Sequence, residues 1–223
     1  MIVLLDIDNT LIDFNECARQ TIIKIFNDFG LPYTDNVFKT FTEENIKIWK
    51  RLENGEITKA YLRENRWNII LEKLNLIADG PEIEKLFENG IADSAYEVTG
   101  AKELLEYLYK KHELYVVSNG FRAVQENRLN ISGFQKFFKG MFFSEDIGIS
   151  KPQKEFFDYC FNNLDNPEKE NVILIGDSIS ADIIGGNNYN IKTIWFNKNN
   201  GKCPDNVKPT HIVKALNEIC SII

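Results

Sequence analysis

The 223-residue sequence has only two histidines, His112 and His211, and four cysteines, Cys17, Cys160, Cys203 and Cys220, none of them paired as CxxC. That scarcity argues against a zinc centre of the usual histidine and cysteine type. It also argues against a serine–histidine–acid triad. The scattered cysteines read as reduced thiols in a reducing compartment, which makes the expected location cytoplasmic. No apolar run approaches the roughly 20 residues that span a bilayer, so no membrane partner is expected. The first residues enter a strand-like segment without a basic flank, and no signal peptide is expected. Linkers rich in Gly, Ser or Pro, low-complexity tracts and internal repeats are missing too. So is an excess of positive charge. The net charge of −7 argues against a nucleic acid polymer as the main partner. It leaves open a small phosphorylated metabolite, which a local site or a metal ion can hold.

What is present is enough apolar material for a core, 43% of residues. Five short apolar runs, at 2–5, 114–117, 141–143, 172–175 and 193–196, are bounded by polar residues or glycine. Parallel strands covered on both faces read this way. Helical patterns at 101–112, 156–164 and 181–189 fill the intervals. Alternating strands and helices predict a doubly wound, Rossmann-like α/β sheet. Residues 14–93 differ: helical patterns run throughout, with helices expected at 36–52, 59–74 and 81–89. Ala18, Ile22, Ile25, Phe26 and Phe29 share one helical face, closed by Gly30 and Pro32. The expected organisation is an α/β core of residues 1–13 and 94–223 with an inserted helical cap domain of residues 14–93. Hinges are expected near 13–15 and 93–99.

Two acids end the first strand, Asp6 and Asp8 in VLLDIDNTLID. Buried carboxylates side by side are costly without a positive partner. Three other elements share their position just past a strand: Ser118-Asn119, Lys151 before Pro152, and Asp177 with Asp182. In open α/β sheets such ends gather at one edge, where ligands bind. Carboxylates, a hydroxyl and an ammonium together suit Mg²⁺ and a phosphate group. Each piece has a plainer reading alone. Ser118-Asn119-Gly120 fits a turn and helix cap, Asp177-Ser178 fits another cap, and Lys151 fits a solvated side chain.

Taken together, Asp6-Ile7-Asp8-Asn9-Thr10, Ser118, Lys151 and the stretch GDSISAD resemble, in order, the four motifs of the haloacid dehalogenase superfamily. The resemblance covers essentially the whole chain, and an insert between the first two motifs resembles its members with a small helical cap. It implies Asp6 as nucleophile, forming an aspartyl-phosphate. It implies Asp8 as general acid and then base. Ser118, Lys151, Asn119 and Gly120 would bind the phosphoryl group. Asp6, the backbone carbonyl of Asp8, and Asp177 would hold Mg²⁺, or Mn²⁺ or Co²⁺ in its place. Asp182 would act through water or orient Lys151. The superfamily's dehalogenases lack the second acid, so Asp8 favours phosphoryl transfer.

The stretch SNGFRAVQENRLNISGFQKFF, with Asn119-Gly120-Phe121, Gln125 and Arg128-Leu129, resembles bacterial pyrimidine 5′-nucleotidases that act on non-standard nucleoside monophosphates. Phe14, Phe41, Trp49, Tyr61 and Trp67 are candidates to stack on a base, or else core residues of the cap. A sugar-phosphate or phosphoglycolate phosphatase, or a mutase, would share the same core. A phospho-aspartate receiver would place its acids on different strands, and a non-catalytic binding protein would not need intact motifs. The expected assembly is a monomer or homodimer.

Overall fold

The first strand, β1 (Ile2–Leu5), lies inside the sheet rather than at its edge. It pairs in parallel with β2 (Glu113–Ser118) on one side and β4 (Val172–Gly176) on the other. β3 (Gly140–Phe143) lies beyond β2, and β5 (Lys192–Phe196) and β6 (His211–Val213) lie beyond β4. The order is β3-β2-β1-β4-β5-β6, all parallel. Val3, Leu4 and Leu5 are fully buried, as they must be in a strand covered on both faces. The computed structural model describes residues 1–223 in two units, Met1–Asp13 with Ala95–Ile223, and Phe14–Ser94.

In the sheet-bearing unit, α8 (Lys154–Asn162) sends Phe156, Phe157, Cys160 and Phe161 against Leu4, Val117 and Leu174. α5 (Ala101–Tyr109) buries Leu104, Leu105 and Leu108, spaced for one helical face. Two short helices lie between β2 and α8: α6 (Arg122–Ile131) and α7 (Ser144–Ile147). After β4, a π-turn over Ile179–Ile183 leads into α9 (Ile184–Tyr189). This is a doubly wound α/β fold. β6 is the strand that periodicity does not reveal. It is a three-residue edge strand whose His211 and Ile212 are exposed, so it carries no apolar run. The pattern at 181–189 also begins too early, because the π-turn takes the first residues.

The other unit is four helices: α1 (Phe14–Asp28), α2 (Asp35–Glu53), α3 (Lys59–Leu74) and α4 (Gly80–Ala92). Thr58 and Asp79 accept from the backbone N–H groups of Tyr61 and Glu82, capping α3 and α4. Phe26, Phe41, Trp67 and Phe87 form its aromatic core, with Phe41 stacked on Trp67 at 5.7 Å. Phe41 and Trp67 are therefore not base-stacking residues. They are buried among their own unit's side chains, and burial is what they contribute. Phe14, Trp49 and Tyr61 remain half-buried. Arg66 is buried as well. Its guanidinium donates to both carboxylate oxygens of Glu84 and to Asn45 Oδ1. No helix is long and apolar enough to cross a membrane. All four cysteines are free thiols, Cys17 and Cys160 buried.

Candidate active site

Asp6 follows β1 directly, and its N–H still donates to Ile175 O of β4 at 3.0 Å. The chain then turns sharply. Leu11 and Ile12 N–H both donate to Ile7 O, and Asn9 takes a left-handed φ of 60° that asparagine tolerates. The turn brings buried Thr10 back onto the nucleophile candidate: Thr10 Oγ1 donates to Asp6 Oδ2 at 3.3 Å. Lys151 takes the other oxygen, Nζ donating to Asp6 Oδ1 at 2.8 Å.

Lys151 is not solvated. It is 1% exposed, and its ammonium also donates to Val117 O at 2.8 Å and Asp182 Oδ1 at 2.7 Å. All three of its protons are committed. Asp182 sits fully buried in the π-turn, where its Oδ2 accepts from Ser178 N–H at 3.1 Å. It touches Lys151 directly, so of the two roles expected for it, orienting Lys151 is the one its contacts fit. Gly176 makes this possible. A Cβ there would lie 2.1 Å from the Asp182 carboxylate.

Asn119 differs from expectation. Its side chain makes a two-way bridge to the Lys151 backbone: Nδ2 donates to Lys151 O at 2.9 Å, and Oδ1 accepts from Lys151 N–H at 2.8 Å. The bridge uses the amide oxygen and one of its two N–H hydrogens, so the side chain fixes the lysine segment. Ser144 Oγ pins the Asn119 carbonyl in turn. Ser118 is 1% exposed. Its Oγ accepts from Gly120 N–H at 3.0 Å and from Gln125 Nε2 at 3.3 Å, which leaves the hydroxyl hydrogen for a further acceptor. Gly120 contributes through its backbone and its lack of a side chain. Asp177 follows β4, with its carbonyl held by Trp195 Nε1 at 2.8 Å.

Four carboxylates, Asp6, Asp8, Asp177 and Asp182, thus gather with two cations, Lys151 and Arg128, which salt-bridges Asp8. Burial pushes the Asp6 carboxyl up to about 7; Lys151 opposes this while Asp182 and Asp8 add to it. Asp177 is raised too, by burial and then by Asp6, Asp182 and Asp8. Burial alone would depress Lys151, but Asp182 and Asp6 outweigh it and raise it. Oxygens of Asp6, Asp177 and Asp182 lie within 4.8 Å of one another. Excess negative charge on buried carboxylates calls for a cation.

Three contributors lie beyond the roles assigned from sequence. Thr10 belongs to the first motif, yet a threonine in a turn signals no contact. Gln125 and Arg128 were visible only as part of a resemblance. Their spacing on α6 hints at a shared face, but nothing in the pattern says that an arginine there is 1% exposed.

Comparison with known proteins places the whole chain rather than its single residues. Residues 3–196 match the haloacid dehalogenase-like hydrolase family. The chain is 31% identical to the HAD-hydrolase YfnB of Bacillus subtilis, over 99% of this chain and 94% of that one. A crystal structure of YfnB, described as bound to magnesium and revealing interdomain movement, superposes with a TM-score of 0.93 over 99% of this chain and 97% of that chain. The pyrimidine 5′-nucleotidase YjjG of Escherichia coli is 30% identical over 96% of this chain and 93% of its own length. PynA of Streptococcus pneumoniae, also a pyrimidine 5′-nucleotidase, is 29% identical over 97% and 92%.

Proposed function

Since the chain belongs to the haloacid dehalogenase-like hydrolase family, we propose that it is a phosphomonoester hydrolase working through an aspartyl-phosphate, with a pyrimidine nucleoside monophosphate as its substrate. The observation that carries this reading is the state of Asp6. It is a buried carboxylate fixed at both oxygens, by Lys151 and Thr10, with a second carboxylate two residues on. Asp6 attacks phosphorus, and the bond to the leaving alkoxide breaks. Asp8 gives that oxygen a proton. Asp8 then takes a proton from the water that attacks the phosphorylated Asp6, and phosphate departs. Ser118 donates its hydroxyl to a phosphoryl oxygen. Lys151 offsets charge as it spreads over the transferring group.

The donor set fits a hard divalent cation, because its oxygens are clustered and carry more negative charge than Lys151 and Arg128 balance. Asp6, Asp177 and the backbone carbonyl of Asp8 would hold Mg²⁺, or Mn²⁺ or Co²⁺. Bound there, the cation supplies neutralisation of the phosphoryl oxygens. Asp182 is counted with Lys151, which it orients, rather than among the ligands. The helical unit enters the chain right after the acid pair. That point of insertion supports a role as a cap that selects the ester. The free thiols suit a cytoplasmic setting.

Phosphate release from dUMP, dTMP, UMP, AMP, sugar phosphates, phosphoglycolate and an aryl phosphate, each with Mg²⁺ and with EDTA, tests the reading. Preference for the pyrimidine monophosphates with metal supports it. Activity confined to sugar phosphates keeps the chemistry and removes the nucleotide. No metal-dependent release removes both.

A further inference from the structure

We infer that Gln125 and Arg128 form a clamp that fixes the Asp8 carboxylate and ties its position to Ser118, making both of them positioning residues for proton transfer to the leaving group. The inference rests on the reading of Asp8 given above.

Asp8 lies in the turn after β1, with its side chain about one-third exposed at 32%. A side chain in such a place has several rotamers to choose from. Here each oxygen has its own donor from α6. Arg128 Nη1 donates to Oδ1 at 2.5 Å, and Gln125 Nε2 donates to Oδ2 at 2.6 Å. Arg128 Nη1 also donates to Gln125 Oε1 at 3.1 Å, which closes a triangle and sets which way the amide faces. The same Gln125 Nε2 reaches Ser118 Oγ at 3.3 Å. One amide group therefore bridges the proton-transfer carboxylate and the hydroxyl that meets the phosphoryl group.

The surroundings are shaped for this bridge. Gln125 and Arg128 are 2% and 1% exposed. Burying an arginine is costly and tolerated only with close partners. A Cβ on Gly120 would lie 2.3 Å from the Gln125 amide nitrogen, so the glycine after Ser118-Asn119 leaves the space the amide occupies. Ser118 ends β2, and Gly120, Gln125 and Arg128 follow within one turn and helix. Placement of the leaving-group acid is thereby coupled to placement of the phosphoryl-binding hydroxyl. A displacement of about 1 Å at such a group can cost ~100-fold in rate.

The competing account is that Asp8 simply neutralises a buried arginine. Two measurements separate them. The first compares kcat/KM on a nucleoside monophosphate and on nitrophenyl phosphate. This parameter reads steps up to departure of the leaving group, and nitrophenolate leaves without a proton. Gln125→Leu and Arg128→Met should lower it about 10- to 100-fold on the nucleotide and less than about 3-fold on the aryl ester, where no proton is needed and Gly120 N–H still holds Ser118 Oγ. Arg128→Lys should recover part of the loss. The second repeats Gln125→Leu in an Asp8→Asn background. Asp8→Asn alone should cost about 10²- to 10⁴-fold on the nucleotide, and the added substitution less than about 3-fold more. Equal losses on both esters, or full additivity with Asp8→Asn, overturns the clamp. If Arg128→Met fails to fold, uncharged Gln125 carries the test alone. If Asp8→Asn hydrolyses the nucleotide normally, the reading of Asp8 as acid fails instead.

Discussion

The two units each bury a basic side chain, and they treat it differently. In the helical unit Arg66 meets Glu84 in a two-pronged pair and spends a third donor on Asn45. Charge balances there. In the sheet-bearing unit Lys151 meets Asp6 and Asp182 at once, with Asp177 and Asp8 close by. Acid is in excess there, and burial pushes Asp6 up to about 7, with Asp182 and Asp8 adding to the shift and Lys151 opposing it. A balanced buried pair holds helices together. An unbalanced one carries free energy that a ligand can release. The contrast teaches that burial of charge alone does not call for a ligand, whereas surplus charge of one sign does.

Breaking the surplus at its centre should have the largest effect. Asp6→Asn should lower phosphate release by at least ~10⁴-fold, the scale seen when a covalent nucleophile is lost. Its thermal midpoint should match or exceed the parent's at pH 7.5, because a carboxylate that is costly to ionise has been removed. A clearly lower midpoint, or retained activity, would sink the assignment.

Breaking the balanced pair should do the reverse. Glu84→Ala strands a buried guanidinium and should cost about 3–5 kcal/mol of stability. Urea unfolding followed by tryptophan fluorescence, in a background with Trp49 and Trp195 replaced by phenylalanine so that Trp67 in that unit's core reports alone, reads this. Replacing both Arg66 and Glu84 with methionine should restore most of the loss. If the double variant is as unstable as the single, the pair is more than a packing device.

The smallest effect sharpens the comparison through pH. Asp6 has a folded value near 7 against an ordinary 3.8. Between those values the folded chain keeps a proton that the unfolded chain has released. Its stabilising contribution is therefore complete below 3.8 and lost as pH rises to about 7. A divalent cation competes with that proton. In protein stripped of metal by EDTA, added Mg²⁺ should raise the thermal midpoint little at pH 5 and more at pH 8. At a hundredfold excess over Kd the gain approaches about 2.7 kcal/mol. The same rise at both pH values would contradict the linkage.

Much of this was legible in the amino-acid order. Buried parallel strands write themselves as short apolar runs, so β1 to β5 stand out, while β6, with one buried residue of three, does not. The acids after β1 and β4 and the serine after β2 could be placed because strand ends converge in any such sheet. Hydrogen-bond direction was not legible. A side-chain amide looks the same in sequence whether it faces a substrate or, as Asn119 does, a neighbouring backbone. Nor can a pattern tell an exposed arginine from Arg128, because burial depends on what other segments bring to that point. Phe41 and Trp67 show the same limit in reverse: aromatics suit either a base or a core, and contacts alone decide.

The position of β1 has a consequence for biosynthesis. It is made well before both of its neighbours, since Ile2 aligns with Glu113 on one side and Val172 on the other. On the ribosome β1 must wait with both edges unpaired until most of the chain has emerged. The helices of Phe14–Ser94 are complete long before that and rest on local contacts. Translation therefore presents the helical segment attached to an unpaired apolar strand, the kind of edge that invites aggregation. The acids at its end add like-charge repulsion to that waiting edge, so the residues of the candidate site also oppose edge-to-edge pairing.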